Sequence, residues 1–529
     1  KQLYGLAITE LTALMSRRSV YCSKYANGRY SVCTTFDDEQ GNIRYEPTAH
    51  SWQGGRCIYC GASQEVYDRG EALESHAYKF IHTDNPKKLF PDMKFDVIIG
   101  NPPYQLSVGN NGGNSSKAKA IYHHFIDAAI KLKPTYLVMI TPSRWMTKTT
   151  EGIPDEWVDK MLSSNKFAII HDYEDSSSCF PGVEIKGGIN YFLWNKNHDS
   201  KCNYCFHSAT SPDKFTLRHD FLDALKVGIV IRDPRAYSIL NKISNTETNY
   251  FADSTSNFSY LVSPKDFFTN KTHLTSSWSD YSDKKQEKEN IKYYLNKNIH
   301  NKNFGWVALA QIPKNQASVP LHKVYIPAAG GTGSDDMILG TPFYGEPGSV
   351  CSQTYLVIGY NPDSPLKDEK ECRNIISYIK TRFFRYLVSI KKKTQNGPRG
   401  VYQFVPLQDF SKSWTDEELY KKYNLSDDEI EKMRKEAEEN KEADEKRKEA
   451  VEAKNEAEQL IFQTEKALKD LGDKVDKKEK KEAEKLIEEL KEALKDEDLD
   501  EIKEKKEALQ EKTMALATKV YEQAAKERE

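Results

Sequence analysis

The sequence predicts an α/β chain, with a doubly wound sheet up to about residue 195, an α+β region after it and an all-α bundle at the carboxyl end. Three observations carry this. Apolar runs of strand length alternate with helically spaced segments in the first part, as crossover helices between parallel strands require. Residues 210–410 mix many aromatics with short strand-like runs and polar loops. From Ser426 onward proline is absent, glycine occurs once (Gly472), and Lys, Glu and Ala dominate. A chain of 529 residues exceeds one compact core, so several domains are expected. The boundaries read as 1–209 with a cysteine-rich insertion at 22–60, then 210–423, then 424–529.

Taken in order, residues 3–8 form an apolar strand and residues 10–18 a helix. Residues 22–60 break the pattern with Gly, Tyr and four cysteines. Residues 78–82 read as another strand. Residues 95–100 read as a strand apolar on both faces, the mark of a buried parallel sheet. A helix over 121–132 follows, then strands over 136–140, 167–170 and 189–194. The net charge of −2 hides an asymmetry. Residues 426–529 hold 25 Lys and Arg against 35 Asp and Glu, leaving 52 against 44 in the body. A mildly basic body suits a polyanionic partner, and the acidic tail does not. No apolar run is long enough to span a bilayer and no secretory leader is visible, which predicts a cytoplasmic protein without a membrane partner. A first residue of Lys rather than Met marks an expected fragment or processed piece.

The run Asp96-Val97-Ile98-Ile99-Gly100-Asn101-Pro102-Pro103-Tyr104 carries the most chemistry. An adenine amino group is a poor nucleophile because its lone pair is delocalised into the ring. Two hydrogen-bond acceptors that hold both of its hydrogens direct that lone pair at an electrophilic methyl. The Asn101 side-chain oxygen supplies one acceptor and the Pro102 carbonyl the other. The tandem prolines, Pro102 and Pro103, have fixed φ and stiffen the corner, which preorganises both acceptors. Tyr104 offers a flat face on which a base extruded from a duplex can stack.

With that motif, and with Tyr4-Gly5-Leu6-Ala7-Ile8-Thr9-Glu10-Leu11, Ile81-His82-Thr83-Asp84, Ile140-Thr141-Pro142-Ser143-Arg144-Trp145 and Cys179-Phe180-Pro181-Gly182-Val183, the chain resembles the gamma-type N6-adenine DNA methyltransferases of type II restriction–modification systems from Lys1 to about Tyr423. The resemblance implies a Rossmann-like catalytic domain, S-adenosylmethionine as methyl donor, double-stranded DNA as substrate, a cognate restriction endonuclease as partner and a bacterial host. It implies that Asp84 lies near the donor's adenine and that Phe180 is a second stacking face for the flipped base, beside the alternative of an ordinary core aromatic. The family's Gly-rich FxGxG donor loop is absent and is expected upstream of Lys1. The acid normally two residues after Gly5 is Ala7, which leaves Glu10 as the candidate ribose-binding substitute.

Cys22, Cys33, Cys57 and Cys60 fit a CxxC with two distant cysteines, and Cys57-Ile58-Tyr59-Cys60-Gly61 resembles a zinc knuckle. Four thiolates suit a structural tetrahedral zinc, with scattered reduced cysteines as the alternative. Cys202 and Cys205 have no evident second pair. Residues 328–334 are Gly-rich but lack the Lys-Ser/Thr ending of a phosphate loop and read as a loop. Between Arg373 and Lys393, Lys380, Arg382, Arg385, Lys391, Lys392 and Lys393 interleave with Phe383, Phe384 and Tyr386. The aromatics are expected inward and the charges against DNA phosphates.

Ser426-Asp427-Asp428-Glu429 is a capping box that opens the helical tail. The tail, with Ala453-Lys454-Asn455-Glu456-Ala457-Glu458-Gln459-Leu460-Ile461-Phe462 and Glu465-Lys466-Ala467-Leu468-Lys469-Asp470-Leu471-Gly472, resembles the C-terminal helical lid of DnaK-type seventy-kilodalton heat-shock chaperones. No ATPase or peptide-binding sandwich accompanies it, so no peptide client is expected, and the pairing of the two families suggests a chimera. The sequence therefore predicts methyl transfer to adenine N6 in DNA within a restriction–modification system. The alternative is a DNA-binding but catalytically incomplete methyltransferase fragment joined to an inert helical appendage.

Overall fold

The computed structural model describes residues 3–33, 35–67, 78–90, 93–107, 118–248, 250–251, 254–295, 303–329, 338–392, 396–435, 438, 453, 456–465, 468, 477–496 and 499–526. Lys393, most of the Gly-rich loop at 328–334 and Gly472 lie outside them. The chain divides into two compact units, Lys1–Asn241 and Lys242–Glu529.

In the first unit, β1 (Gly5–Leu6) is followed by α1 (Glu10–Tyr21), β2 (Ile43–Arg44), β3 (Trp52–Gln53), β4 (Arg56–Cys57) and the short α2 (Gln64–Tyr67). Then come β5 (Val97–Gly100), β6 (Gln105–Ser107), β7 (Ala118–Ala120), α3 (Tyr122–Lys131), β8 (Tyr136–Pro142), α4 (Asp155–Ser163), β9 (Phe167–Tyr173), β10 (Ile189–Asn195), β11 (Cys202–His207) and β12 (Thr216–Asp220). The main sheet has six strands in the order β12-β11-β9-β10-β8-β5. It is mixed. The β5–β8 and β11–β9 pairs are parallel, while β10 runs antiparallel to both β8 and β9 and β12 antiparallel to β11.

The helices at 10–21 and 122–131 and the strands at 136–142, 167–173 and 189–195 lie where hydrophobic periodicity puts them. Alternate β8 side chains, Leu137 and Met139, enter a core with Ile126, Trp145, Trp157, Phe167, Ile170 and Phe192. A doubly wound parallel sheet is not what forms, because β10 and β12 insert antiparallel strands. The sheet also runs past residue 209, since β12 pairs with β11.

Three local expectations are corrected. The strand read over 3–8 shrinks to Gly5–Leu6 and pairs with β2, outside the main sheet. The segment read as a strand over 78–82 is a turn, in which the Ile81 and His82 amides both donate to the Tyr78 carbonyl at 3.0 Å. The strand read as buried on both faces is an edge strand, and Ile99 is 78% exposed and Val97 49% exposed.

At one end of the main sheet, four strands are tied by a buried polar network. Asp172 of β9 is fully buried and takes a bidentate pair from Arg232, Nε to Oδ2 at 2.6 Å and a terminal nitrogen to Oδ1 at 2.8 Å. The Ser143 hydroxyl donates to Asp172 Oδ1 at 2.5 Å, and the Tyr204 hydroxyl donates to Oδ2. Asn190, opposite Asp172 in the register, donates to the Thr141 carbonyl at 3.0 Å. Burial opposes the charge on Arg232, but the Asp172 carboxylate outweighs it and holds the guanidinium's pKa above its ordinary value.

In the second unit, two three-stranded sheets share one core. One is β13 (Ile291–Tyr294), β14 (Phe304–Val307) and β17 (Ser349–Cys351); the other is β15 (Lys323–Pro327), β16 (Phe343–Gly345) and β18 (Tyr355–Ile358). Helix α5 (Pro234–Thr246) comes before these strands in the chain, and α6 (Glu369–Lys380), α7 (Arg382–Lys391) and α8 (Asp416–Lys422) follow them. The capping box at Ser426 is present: the Ser426 amide donates to the Glu429 carboxylate at 2.8 Å and the Glu429 amide to the Ser426 hydroxyl at 3.4 Å. Beyond it, α9 (Lys477–Asp496) and α10 (Leu499–Lys526) pack with residues 453–468 around Ala457, Ile461, Leu490 and Leu509. Lys506–Glu456 and Lys512–Glu482 pairs flank this core, both at 2.6 Å.

Asp172→Ala leaves Arg232, which is 17% exposed, without its carboxylate. It should cost about 3–5 kcal/mol. Urea unfolding of the full chain should show a clearly lowered midpoint, and an unchanged midpoint would contradict the role given to this network.

Candidate active site

β5 delivers the Asn101–Tyr104 corner. Its parallel pairing with β8 matches Val97 to Tyr136 and Gly100 to Met139, so the strand ends with Asn101 just beyond its carboxyl edge. In open α/β sheets this is the end at which reacting groups gather. Pro102 is buried, Pro103 and Tyr104 are half-buried and the Asn101 side chain is exposed. On the far side the chain enters β6, which pairs with β7, and the Tyr104 carbonyl accepts from the Ile121 amide at 3.1 Å. The corner is thus held at both ends by backbone hydrogen bonds.

The Tyr104 hydroxyl donates to Asn101 Oδ1 at 2.9 Å. An amide oxygen has two lone pairs, so this bond fixes the carboxamide and leaves one acceptor position on the same atom. The Tyr104 ring meets the buried Tyr122 edge-on with centroids 6.4 Å apart, which sets its plane. Burial raises the Tyr104 hydroxyl pKa to about 12, and the nearby Cys179 thiol adds to the shift. Cys179 brings the loop carrying half-buried Phe180 beside the corner. That loop is pinned by the Phe180 amide to the Ser176 carbonyl at 2.9 Å and by the Ser176 hydroxyl to the Val183 carbonyl at 3.0 Å.

Glu10 and Asp84, the candidate donor-binding acids, are both exposed. Glu10 opens α1, beyond a strand that does not join the main sheet, and Asp84 follows the turn at 78–82. Among the described residues neither carboxylate makes a hydrogen bond or ion pair, so both are open to a ligand's polar groups.

The metal-ligand set is corrected. Cys57 and Cys60 are buried and lie with His50 and His82, the four ligand atoms all within 4.8 Å of one another. Cys22 is exposed, and Cys33 packs against the small cluster of Tyr21, Ala26 and Ile43 instead. Spacing missed the two histidines because they lie outside the CxxC and are brought in by the fold. Cys202 and Cys205 are buried side chains of β11. Burial pushes the Cys60 thiol up to about 12, opposed by the Ala62 amide and assisted by Cys57.

The basic run does not form one charged face. Lys380 and Arg382 are exposed, but Arg385 is 9% exposed and its guanidinium reaches the Leu339 carbonyl at 3.5 Å. Lys391 donates to Gln403 Oε1 and lies over the Phe404 ring, and burial lowers the Lys392 pKa. Arg385 is therefore corrected from a phosphate contact to an interior residue. It lies within a stretch of the helix, Phe383 to Ser389, that is buried on every face.

Residues 1–180 match the family described as Eco57I restriction-modification methylase, and residues 396–522 match that described as Hsp70 protein. A Mycoplasma pneumoniae (strain ATCC 29342 / M129 / Subtype 1) protein described as an uncharacterized adenine-specific methylase is 38% identical over 221 residues, covering 38% of this chain and 52% of that protein. The chain thus spans about half the length of the curated relative it matches. Solved structures with some likeness include the type IIG restriction endonuclease BpuSI, at 12% identity and a TM-score of 0.28 over 64% of this chain and 49% of that one. The DrdV–DNA complex gives 9% identity and a TM-score of 0.30 over 64% and 45%. Scores of this size carry no argument about function. The similarity over residues 1–180 is to an enzyme family, the adenine-specific DNA methylases of restriction–modification systems. No helix among the described residues is long and apolar enough to cross a membrane.

Two substitutions separate interior from surface charge. Arg385→Ala should cost about 2–4 kcal/mol in urea unfolding, since it removes a packed stem and guanidinium. Lys380→Ala should change stability by less than about 0.5 kcal/mol. Equal effects would contradict the assignment of Arg385 to the interior.

Proposed function

We propose that the chain serves methyl transfer from S-adenosylmethionine to the N6 amino group of adenine in double-stranded DNA, within a bacterial, cytoplasmic restriction–modification system. The observation that carries the reading is the Asn101–Tyr104 corner. It has an exposed carboxamide at the carboxyl end of a parallel-paired strand, oriented by Tyr104 and followed by two residues that cannot rotate φ. The similarity of residues 1–180 to a methylase family supports it.

The acceptor side of the reaction follows from these residues. Asn101 Oδ1 and the Pro102 carbonyl accept the two amine hydrogens. That draws nitrogen toward a tetrahedral shape and frees its lone pair. Tyr104 stacks against the extruded base, and Phe180, on the loop beside it, offers a second face. The donor, when bound, supplies a methyl group on a sulfonium. Glu10 and Asp84, both exposed, are the carboxylates that would hold it. Lys380 and Arg382 are the exposed members of the basic run left to meet phosphates, and a cognate endonuclease is the expected partner.

One observation favours a second reading, DNA binding without turnover. β1 pairs outside the main sheet, and the face of β5 carrying Val97 and Ile99 is exposed, so among the described residues no donor-binding half is assembled against β5. In this reading the helical tail, packed around its own core, is an appendage without a peptide client.

Incubation of the full chain with methyl-labelled S-adenosylmethionine and unmethylated bacterial DNA, followed by nucleoside mass spectrometry, separates the readings. The first predicts labelled N6-methyladenine and a loss of about 100-fold or more in rate for Asn101→Ala. Retained DNA binding without label supports the second. Labelled cytosine, or an Asn101→Ala variant as active as the parent, would contradict the first.

A further inference from the structure

We propose that His50, Cys57, Cys60 and His82 form a structural zinc site that ties the cysteine-rich segment to the floor of the Asn101–Tyr104 corner.

The four ligand atoms lie within 4.8 Å of one another, close enough for modest side-chain movement to bring all four onto a single ion. A tetrahedral zinc with nitrogens at 2.0–2.1 Å and sulfurs at 2.3 Å sets its nitrogens about 3.3–3.4 Å apart and nitrogen from sulfur about 3.6 Å. His50 Nδ1 lies 3.3 Å from His82 Nε2 and 3.4 Å from Cys60 Sγ. These separations match the edges of that tetrahedron.

The surrounding backbone is built for it. β3 and β4 form a hairpin that presents Cys57, and the Gly61 amide returns to the Cys57 carbonyl at 2.9 Å. Gly61 has φ +72°, a left-handed conformation that lets the chain turn sharply after Cys60. The Cys57 amide then donates to the Ala62 carbonyl at 2.9 Å and closes the knuckle. On the second segment, His82 Nδ1 lies 2.7 Å from the Tyr78 carbonyl and 3.0 Å from the Tyr78 amide, which donates toward it. A zinc on Nε2 selects the other tautomer, in which Nδ1 carries the proton and donates to the carbonyl, the usual orientation of a ligating histidine. The Tyr59 ring packs edge-on against His82, and Trp52 against His50.

All four positions are filled by side chains, so the site is structural, with no open position for a reacting water. Its role is set by what lies beneath. Cys57 and Cys60 share a core with Ile81, Leu106, Ile121 and Phe125. Leu106 is in β6, two residues beyond Tyr104, and the Ile121 amide holds the Tyr104 carbonyl. One ion there joins the 50–62 knuckle to the turn at 78–82, two segments with few backbone bonds of their own, and braces both against the strand leaving the corner.

The test is metal analysis of the full chain, purified with zinc supplied and no chelator, together with X-ray absorption at the zinc edge. One zinc per chain with a first shell of two sulfurs and two nitrogens is expected. His50→Ala, Cys57→Ser and His82→Ala should lose the ion, while Cys22→Ser and Cys33→Ser should keep it. Because ligand variants can fail to fold, cobalt(II) exchanged into the unaltered chain gives a second readout: intense visible bands of a four-coordinate ion with thiolate charge transfer. Absence of zinc, a sulfur-only shell, an oxygen-rich six-coordinate shell, or loss of the ion in Cys22→Ser or Cys33→Ser would overturn the proposal.

Discussion

The parallel pairing of β5 with β8 is the constraint on which the site depends. It sets where Gly100 ends, and hence where the Asn101 carboxamide stands. Two prolines then remove rotational freedom where a flexible loop would otherwise sample many positions for the two acceptors. The Tyr104 hydroxyl takes up what freedom the carboxamide keeps. None of these elements is strong alone. Together they hold one polar group exposed and oriented at a strand end, which is what hydrogen-bonding an exocyclic amine demands.

That arrangement rests on a sheet whose neighbouring strands are tied by Asp172, Arg232, Tyr204, Ser143 and Asn190. A charge buried this deeply is tolerated because every lone pair of the carboxylate is engaged. The network links β9 to β8, β10 and β11, so the strand next to β5 is fixed in register at the same carboxyl end that carries the corner. The polar interior and the polar site therefore serve different ends: one locks strands, the other stays open.

What was legible in the sequence followed from locality. Asn101-Pro102-Pro103-Tyr104 is contiguous, so its chemistry can be read without a fold, and the helices at 10–21 and 122–131 announce themselves by period. Alternation could not reveal that β10 enters antiparallel, because strand direction depends on how the chain returns and not on side-chain pattern. The Val97–Ile99 run looked buried on both sides because its residues are apolar, yet burial depends on what covers a strand, and one face of β5 is exposed. Cys57 and Cys60 were visible as a pair, whereas His50 and His82 join them only through folding. The basic run misled for a related reason. Arg385 carries the same charge as Arg382, but Arg382 is the exposed first residue of the helix and Arg385 lies in the stretch from Phe383 to Ser389 that is buried all round.

The central claim is that the Asn101 corner recognises an exocyclic amine. Two duplexes, identical except that an unpaired adenine in one is replaced by purine without the amino group in the other, test it directly by competition binding. The account predicts that the full chain prefers the adenine duplex and that Asn101→Ala abolishes the preference while retaining overall DNA affinity. Equal binding of both duplexes by the unaltered chain, or a preference that survives Asn101→Ala, would contradict it.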